Sequence, residues 1–548
     1  MSLGSEVENE IPAETAQLVK ECCGKKNRLV TLRDAFGAMF QKEDFADLYS
    51  WKGEVGIAPE LLASITVLQH AEKLSDSQAI LMVCTRIDWK YLLGLPLSYA
   101  GFDSSVLSEF RDRLISQGVC ERLFDLPLRH MKELGLLYER GKQRTDSTHV
   151  LASIRSLNRL ELVGETLRHV LNQLAIVAPN WLTHWLPDEW IERYGSRIEE
   201  AKFPQEESQR QLLIQTIAAD GRQLLQRILH SDSPAFLKQL PVVHLLWRLW
   251  IEQYEEVGGK LCWRQTGNLP PAAQMINSPY DPEARFSRKR NTAWTGYKVH
   301  LSESCDEELP HLLTHVETTP ATEPDCQTLP KIHAALAEKT LLPAQHLLDA
   351  GYVDIDNVCD SRLSHQVEIV GPVRPDSSPQ AKQQAGYDIA HFLVDYASKT
   401  VTCPQGKHST VWSPSTNKDG LQSVTVRFAK QDCLDCPVRA LCTSSKAGVR
   451  GLRLQSTHDK HQTLQQARVE QLTPDFEKRY QERAGIEGTL SLAIRSFTLR
   501  RTRFIGETKT KLQHLAAGSA INFSRLANWF QDRPRTTTRV SALAALAF

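Results

Sequence analysis

Apolar residues recur at helical spacing over residues 1–140. One such segment begins at Pro59, and SQAILMVCTR and SVLSEFRDRLI follow as two further short helices, each preceded by serines that can cap it. This arrangement fits a helix-turn-helix-like DNA-binding domain, although any small helical bundle has the same pattern. The basic residues expected on the exposed faces of these helices are Arg86, Lys90, Arg111 and Arg113.

Residues 141–156 change to a β-compatible pattern. In the run RTDSTHVLASIR, Asp146 shares a strand face with Thr148 and Val150, so its carboxylate points toward a surface expected to be buried. A single Asp in such a run is more often a turn or cap residue. We predict a strand here and treat Asp146 as a candidate acid.

Helical spacing returns over residues 157–277, where Leu160, Val163 and Leu167 begin an apolar face. We predict a helical insertion. The tryptophans concentrated here could stack on unpaired bases, but core packing is the preferred interpretation. They are Trp181, Trp185, Trp190, Trp247 and Trp250.

Strand-like runs dominate residues 278–373. Alternation around Tyr297 and in HLLTHVETT predicts two strands, and a helix is predicted from Cys326 to Lys339. The run AQHLL predicts a strand that stops at Asp349, with Gly351 as its breaker, and VEIVGPV predicts another. This order indicates a mixed α/β sheet flanked by helices, in which sites gather at the carboxyl ends of strands.

Residues 374–465 are polar and contain four of the twelve cysteines, at the spacing C-x29-C-x2-C-x5-C. Zinc prefers soft thiolate ligands in tetrahedral sets, so this Cys-rich insertion predicts a structural Zn²⁺ site. Unliganded thiols or an iron–sulfur cluster are the alternatives. The four residues are Cys403, Cys433, Cys436 and Cys442.

Residues 466–530 should form C-terminal helices, and the first carries charge on a face expected to be apolar. With about 3.6 residues per turn, Tyr480, Arg483 and Glu487 fall on one line of the helix YQERAGIEGTLSLAIRSFTLRRTRFIG. An inward Glu487 requires a cation or metal partner. Glycines 485 and 488, on either side of it, suggest close approach by a backbone or ligand. A buried Arg483–Glu487 pair is the alternative.

A strip of basic residues follows Glu487, with only Glu507 opposing it. Formal net charge is zero, so any argument for nucleic acid rests on such local clusters. A solvated helix end is the alternative to a DNA-binding surface. Lys298 is assigned to the DNA-contacting set as well. The basic strip comprises Arg495, Arg500, Arg501, Arg503, Lys509 and Lys511, and residues 531–548 form a basic tail.

With 548 residues, the chain is long enough for several domains. The sequence MSLGSEVENEIP has no apolar core of a signal peptide, and no run approaches the roughly 18 apolar residues of a membrane span. We therefore expect no membrane association and a cytoplasmic location.

Asp146, Asp349 and Glu487 together form a three-carboxylate set in the order strand, strand, helix. Such hard oxygen ligands can hold two Mg²⁺ or Mn²⁺ ions that clamp a phosphodiester. In its motifs the chain resembles the DDE transposases of bacterial insertion sequences, and within them the insertion sequence 1182 family. The motifs are LSDSQA, RIDWKYLLGLPL, RTDSTHV, SPYDPEAR, WTGYKVHL, LLDAGYVD, CPQG, CLDCPVRALCT and YQERAGIEGTLS.

The resemblance implies an RNase H-like catalytic core and assigns Asp146, Asp349 and Glu487 as metal ligands. It also implies roles for Tyr480 and Arg483, which match a Tyr, Arg, Glu and Lys signature. Ile494 stands where that signature has Lys, and Arg495 lies one position away.

The function implied is cleavage at inverted-repeat ends and strand transfer to target DNA, by a homodimer on double-stranded DNA in the bacterial nucleoid. A domesticated DNA-binding regulator and an RNase H-like nuclease without strand transfer are the alternatives.

Overall fold

The computed structural model describes residues 10–23, 26–50, 53–417 and 420–533, so most of the predicted basic tail lies outside the described residues. The N-terminal part is helical, as predicted. Ser75 caps the fourth helix and forms a capping box with Gln78, and Pro59 begins the third. The helices are α1 (Ala13–Cys22), α2 (Arg28–Phe36), α3 (Pro59–Glu72), α4 (Asp76–Thr85), α5 (Ile87–Leu93), α6 (Ser105–Ser116) and α7 (Arg122–Glu133).

Two of the basic residues expected to be exposed in this part are buried. Lys90 donates to the carbonyl oxygens of Leu97 and Tyr99, and Arg111 pairs with Asp76 at 2.6 Å. The helical periodicity predicts both residues on outer faces. In the structure, backbone carbonyl oxygens satisfy Lys90 and the carboxylate of Asp76 satisfies Arg111.

After β1 (Lys142–Leu151), the helical insertion folds around a hydrophobic core of its own. Trp190 and Trp250 are buried in that core, as preferred from the sequence, whereas Trp247 is exposed. The elements of the insertion are α8 (Arg159–Val177), α9 (Pro179–Thr183), α10 (Asp188–Tyr194), α11 (Glu207–Leu229), α12 (Pro241–Gln253), β2 (Tyr254–Val257) and β3 (Lys260–Trp263).

The central sheet is mixed, as predicted. Besides β1, this part of the chain contains the strands β4 (Arg285–Lys289), β5 (Thr292–Ser304), β6 (Leu313–Pro320), β7 (Gln345–Leu348) and β8 (Glu368–Val370). Two helices connect the later strands, α13 (Asp325–Glu338) and α14 (Ile355–His365). The strand order is β4-β5-β1-β7-β8, and β6 also pairs with β5. β1 is antiparallel to β5 and parallel to β7, so it joins the two halves of the sheet.

The Cys-rich segment over residues 374–465 has a small separate core around Val401, Val426 and Phe428. Its elements are α15 (Pro379–Gln383), β9 (Leu393–Asp395), β10 (Thr400–Thr402), β11 (Ser409–Thr416), β12 (Gln422–Phe428), α16 (Lys430–Leu434), α17 (Arg439–Cys442) and β13 (Gly451–Gln455).

The C-terminal helices are α18 (His458–Glu470), α19 (Pro474–Gln481), α20 (Gly485–Ser496) and α21 (Glu507–Trp529). A 3₁₀ turn over Glu482–Ala484 connects α19 to α20. α21 is buried along most of its length because it lies between β6 and the helices α2, α3 and α7. The N-terminal helices therefore share one hydrophobic core with the sheet, whereas the sequence suggested a separate domain. Among the described residues, no helix is both long and apolar enough to cross a bilayer.

Gly221→Ala should destabilise the insertion. Ala usually stabilises a helix by about 1 kcal/mol over Gly. Here a Cβ would lie 2.0 Å from the Trp250 ring, so overpacking should cost about 1–3 kcal/mol instead. Denaturant unfolding followed by tryptophan fluorescence measures the change. Gly267→Ala, where a Cβ meets nothing within 4 Å, is the control; equal midpoints for both variants would contradict the packing argument.

Candidate active site

Two of the predicted acids lie side by side on neighbouring parallel strands. The register pairs Thr145 with Leu348, so the next residues along the two strands are Asp146 and Asp349. Asp349 directly follows β7, and its Oδ1 accepts a hydrogen bond from the Gly351 amide at 2.9 Å. The structure thus brings together two acids that are 203 positions apart in the sequence (349 − 146).

The carboxyl group of Asp146 is poorly solvated and has a like-charged neighbour. Burial raises its pKa and so does the charge of Asp349, whereas the Ser147 amide, Arg483 and Lys289 lower it; the net pKa is above the ordinary value. A buried carboxyl group beside a second acid favours a bound cation.

Arg483 connects Asp146 to the third predicted acid. Its Nη1 lies 3.2 Å from Asp146 Oδ2, and its Nη2 lies 2.8 Å from Glu487 Oε1. The side chain of Glu487 is 63% exposed, which differs from the inward orientation expected for it. The Arg483–Glu487 pair predicted as the alternative is present, but only Arg483 is largely buried, at 15% exposure, and it also contacts Asp146.

Tyr480 lies beside this arginine, whose Cζ is 5.7 Å from the centre of the tyrosine ring. The ring also stacks on Phe476 at 5.7 Å and packs against Leu347 and Val370. Burial raises the pKa of Tyr480, Arg483 lowers it, and the net pKa is above the ordinary value. The hydroxyl therefore stays protonated at neutral pH.

One face of β1 holds the segment that carries Arg483 and Glu487. Alternate residues of a strand share a face, and here four of them contact residues 482–500. The contacts are Lys142 Nζ to Glu482 Oε1 at 3.1 Å, Arg144 Nη1 to the Glu482 carbonyl at 2.6 Å, Asp146 to Arg483, and Arg500 Nη2 to Thr148 Oγ1 at 2.8 Å.

The two glycines beside Glu487 have different surroundings. A Cβ at Gly485 would lie 2.0 Å from Arg144 Nη1, so the guanidinium occupies the space of a side chain. The sequence suggested close approach by a backbone or ligand, but the group that approaches Gly485 is the side chain of Arg144. A Cβ at Gly488 meets nothing within 4 Å, so that side of α20 is open.

Asp325 is an acid near this site that the sequence analysis missed. It is buried at the start of α13, and it accepts from Lys298 Nζ at 3.0 Å and from Ser147 Oγ at 3.4 Å. An Asp after Pro324 at the start of a helix resembles an ordinary capping residue, so the sequence held no distinguishing signal. The sequence predicts that Lys298 contacts DNA. Its side chain is only 14% exposed, however, and pairs with Asp325 instead of facing solvent.

The basic strip is largely engaged within the protein. Lys509 and Lys511 pair with Asp112 at 2.9 Å and Glu121 at 2.5 Å, and they tie α21 to the N-terminal helices. Arg503 donates to the Leu74 carbonyl at 2.6 Å, and Arg500 donates to Thr148. Arg495 bonds Ser491 on its own helix, next to half-buried Ile494, and exposed Arg501 joins Leu151 through a backbone bridge.

The four cysteines of the Cys-rich segment line one cavity, together with Arg439 and Arg450. Burial raises the pKa of Cys442, and the charges of Cys433, Cys403 and Cys436 raise it further, against the lowering effect of Arg450. Within the described ranges, however, no three His, Cys, Asp or Glu side chains are already arranged to hold a metal ion.

Two family models match the chain. Residues 402–527 match one described as "Transposase DDE domain", and residues 18–113 match one described as "Transposase domain (DUF772)". The first match includes Glu487 and the four cysteines but neither Asp146 nor Asp349. A search of curated proteins and a search of solved structures found no match. The two domain matches support a DDE transposase, an enzyme class that depends on divalent metal ions.

Arg483→Gln should raise the pKa of Asp146. Burial and Asp349 already place that pKa above its ordinary value of 3.8, and Arg483 is one of the charges that lower it. Carboxyl NMR titration in metal-free buffer measures the shift. Arg495→Gln, on an exposed residue of α20, is the control. A pKa of Asp146 at or below 3.8 in the unsubstituted protein would contradict the burial argument.

Proposed function

We propose that this protein is a DDE transposase that cleaves DNA at the inverted-repeat ends of an insertion sequence and transfers the strand to target DNA. The observation that carries this proposal is the β1–β7 register, which sets Asp146 beside Asp349, together with the Arg483 link to Glu487. The motif order favours the insertion sequence 1182 family, and the mixed sheet is compatible with an RNase H-like core.

Carboxylate oxygens are the donors that hard divalent ions prefer, and the three acids must close around such ions, because the described side chains are not yet arranged as ligands. Asp146 and Asp349 lie at the ends of neighbouring parallel strands, and Arg483 links Asp146 to the exposed Glu487. Mg²⁺ or Mn²⁺, two ions in this proposal, would be held by these three residues. When bound, they would activate the attacking water and stabilise charge on the phosphodiester.

The protein's own groups then orient the DNA strand. Arg483 is a planar donor already placed between two carboxylates, and it can turn its paired N–H groups to a phosphate once metal ions supply the positive charge. The protonated hydroxyl of Tyr480 can donate a hydrogen bond near the same phosphate. Asp325 accepts hydrogen bonds from Lys298 and from Ser147, the residue after Asp146.

The proposed partners are the double-stranded terminal repeats and target DNA, bound by a homodimer because two ends must be joined. A domesticated regulator would not need the Asp146–Asp349 pair. A nuclease without strand transfer differs only in its products.

Asp146→Ala should reduce Mg²⁺-dependent cleavage of terminal-repeat DNA by about a thousandfold or more, since several kcal/mol of transition-state stabilisation would be lost. DNA binding should remain measurable by gel shift. Asp306→Ala, on an acid of the loop after β5, is a matched control. Cleavage that persists in the Asp146 variant would exclude the assignment, and joined products from the unsubstituted protein distinguish transposition from hydrolysis alone.

We also propose a structural Zn²⁺ bound by Cys403, Cys433, Cys436 and Cys442. Support comes from the shared cavity and from the soft sulfur donors, whose thiols would lose their protons on binding zinc. The thiols must close around the ion, because the described side chains are not yet arranged as ligands.

Purified protein should therefore contain one zinc per chain, and Cys433→Ser with Cys436→Ser should remove it. Metal analysis by mass spectrometry gives the stoichiometry. Cys262→Ser changes an exposed cysteine outside the cavity and should leave the content unchanged. Zinc-free protein that folds and unfolds normally would refute the site.

A further inference from the structure

The hairpin of β4 and β5 ends in a cluster of exposed cations. The two strands pair from Arg285 and Gly296 to Lys289 and Thr292, and Arg290 begins the connecting turn in the left-handed region at φ 56°. Residues 288–293 are all exposed. The tip of this ribbon is therefore a solvent-facing surface that includes Arg288, Lys289 and Arg290.

The sequence around the turn of this hairpin carries positive charge and no acidic residue of its own. No acidic residue occurs from 284 to 302. Arg285 and Lys298 are directed inward, to the Ala273 carbonyl and to Asp325, whereas the three tip cations are not. Among the described residues, the one ion pair made by the tip is a loose contact of 3.9 Å between Lys289 and Asp325, and Lys289 remains 62% exposed.

The ribbon is anchored at its base, so the tip is held in place. Trp294 is buried, donates from its indole N–H to the Tyr297 carbonyl at 3.1 Å, and lies 5.3 Å from the ring of His149 on β1. Preorganised cations lose less conformational entropy on binding than cations on a free loop do.

The tip lies next to the carboxylate site. Lys289 is within reach of Asp325, and its charge is one of those that act on Asp146. A DNA strand placed at Asp146 and Asp349 would therefore pass this ribbon. Cations beside an acidic site also offset the repulsion between its carboxylates and phosphate.

We propose that the β4–β5 ribbon binds the DNA phosphate backbone next to the scissile phosphate, through Arg288, Lys289 and Arg290. The inference rests on the proposed function for the identity of the polyanion. A two-stranded ribbon has a width that fits the DNA major groove, and contacts to phosphate are independent of base sequence.

The test is the salt dependence of DNA binding by the full chain. Fluorescence anisotropy with a mixed-sequence duplex of about 30 base pairs, in EDTA, is measured from about 50 to about 200 mM KCl. Each phosphate contact adds about 0.9 to the slope of log affinity against log salt. The triple variant Arg288→Gln, Lys289→Gln and Arg290→Gln should lower that slope by about 2 to 3.

A control variant with the same change in net charge removes exposed cations from the helical insertion. Lys202→Gln, Lys238→Gln and Lys260→Gln should leave the slope unchanged. Equal slopes for the two triple variants, or no duplex binding by the unsubstituted protein, would overturn the proposal. Since no cleavage is measured, a slope change specific to the ribbon supports the proposal even if Asp146→Ala disproves the catalytic assignment.

Discussion

The geometry of the candidate site depends on one buried ionic cluster, Glu303 with Arg144 and Arg525. Glu303 is fully buried and lies 2.6 Å from Arg144 Nε and 2.8 Å from Arg525 Nη1. Burial raises the pKa of Glu303, but the two guanidinium groups bring the net pKa below its ordinary value, so the carboxylate stays charged. Removing one partner from a buried ion pair costs about 3–5 kcal/mol, because the other charge is left uncompensated. The cluster therefore fixes β1, β5 and α21 together.

Arg144 extends this constraint to the helix that carries Glu487. It donates to the Glu482 carbonyl and covers Gly485, while Thr489 of the same helix donates to Glu303 at 2.6 Å. Arg144 and Asp146 share a face of β1, so the start of α20 is set at a fixed place relative to Asp146. Glu487 is thus an exposed acid on a rigid support, positioned by the opposite side of its helix and not by burial of its own side chain.

The central sheet could be predicted from sequence because its signals are local. The strand before Asp349 ends at Leu348, and the helix predicted from Cys326 to Lys339 spans Asp325–Glu338. An apolar run bounded by a breaker, and an apolar face with helical period, depend only on near neighbours in the chain. The sequence also predicted that the three acids act as one set, but it did not show the register that puts Asp146 beside Asp349, because a parallel register is decided by pairing between distant segments.

Contacts between distant segments account for what the sequence did not reveal. Periodicity shows that a helix has a buried face but not what covers it, so the N-terminal helices appeared to be a separate domain although α21 joins them to the sheet. Ion pairs are hidden in the same way, because the sequence shows where a cation is but not which acid it meets, as with Lys509 and Asp112. Arg500 and Arg503 of the basic strip likewise bond within the fold, to a threonine hydroxyl and a backbone carbonyl. A cationic run indicates a partner outside the protein where such pairing is weak, as at the exposed tip of the β4–β5 ribbon, whose one ion pair among the described residues is a contact of 3.9 Å.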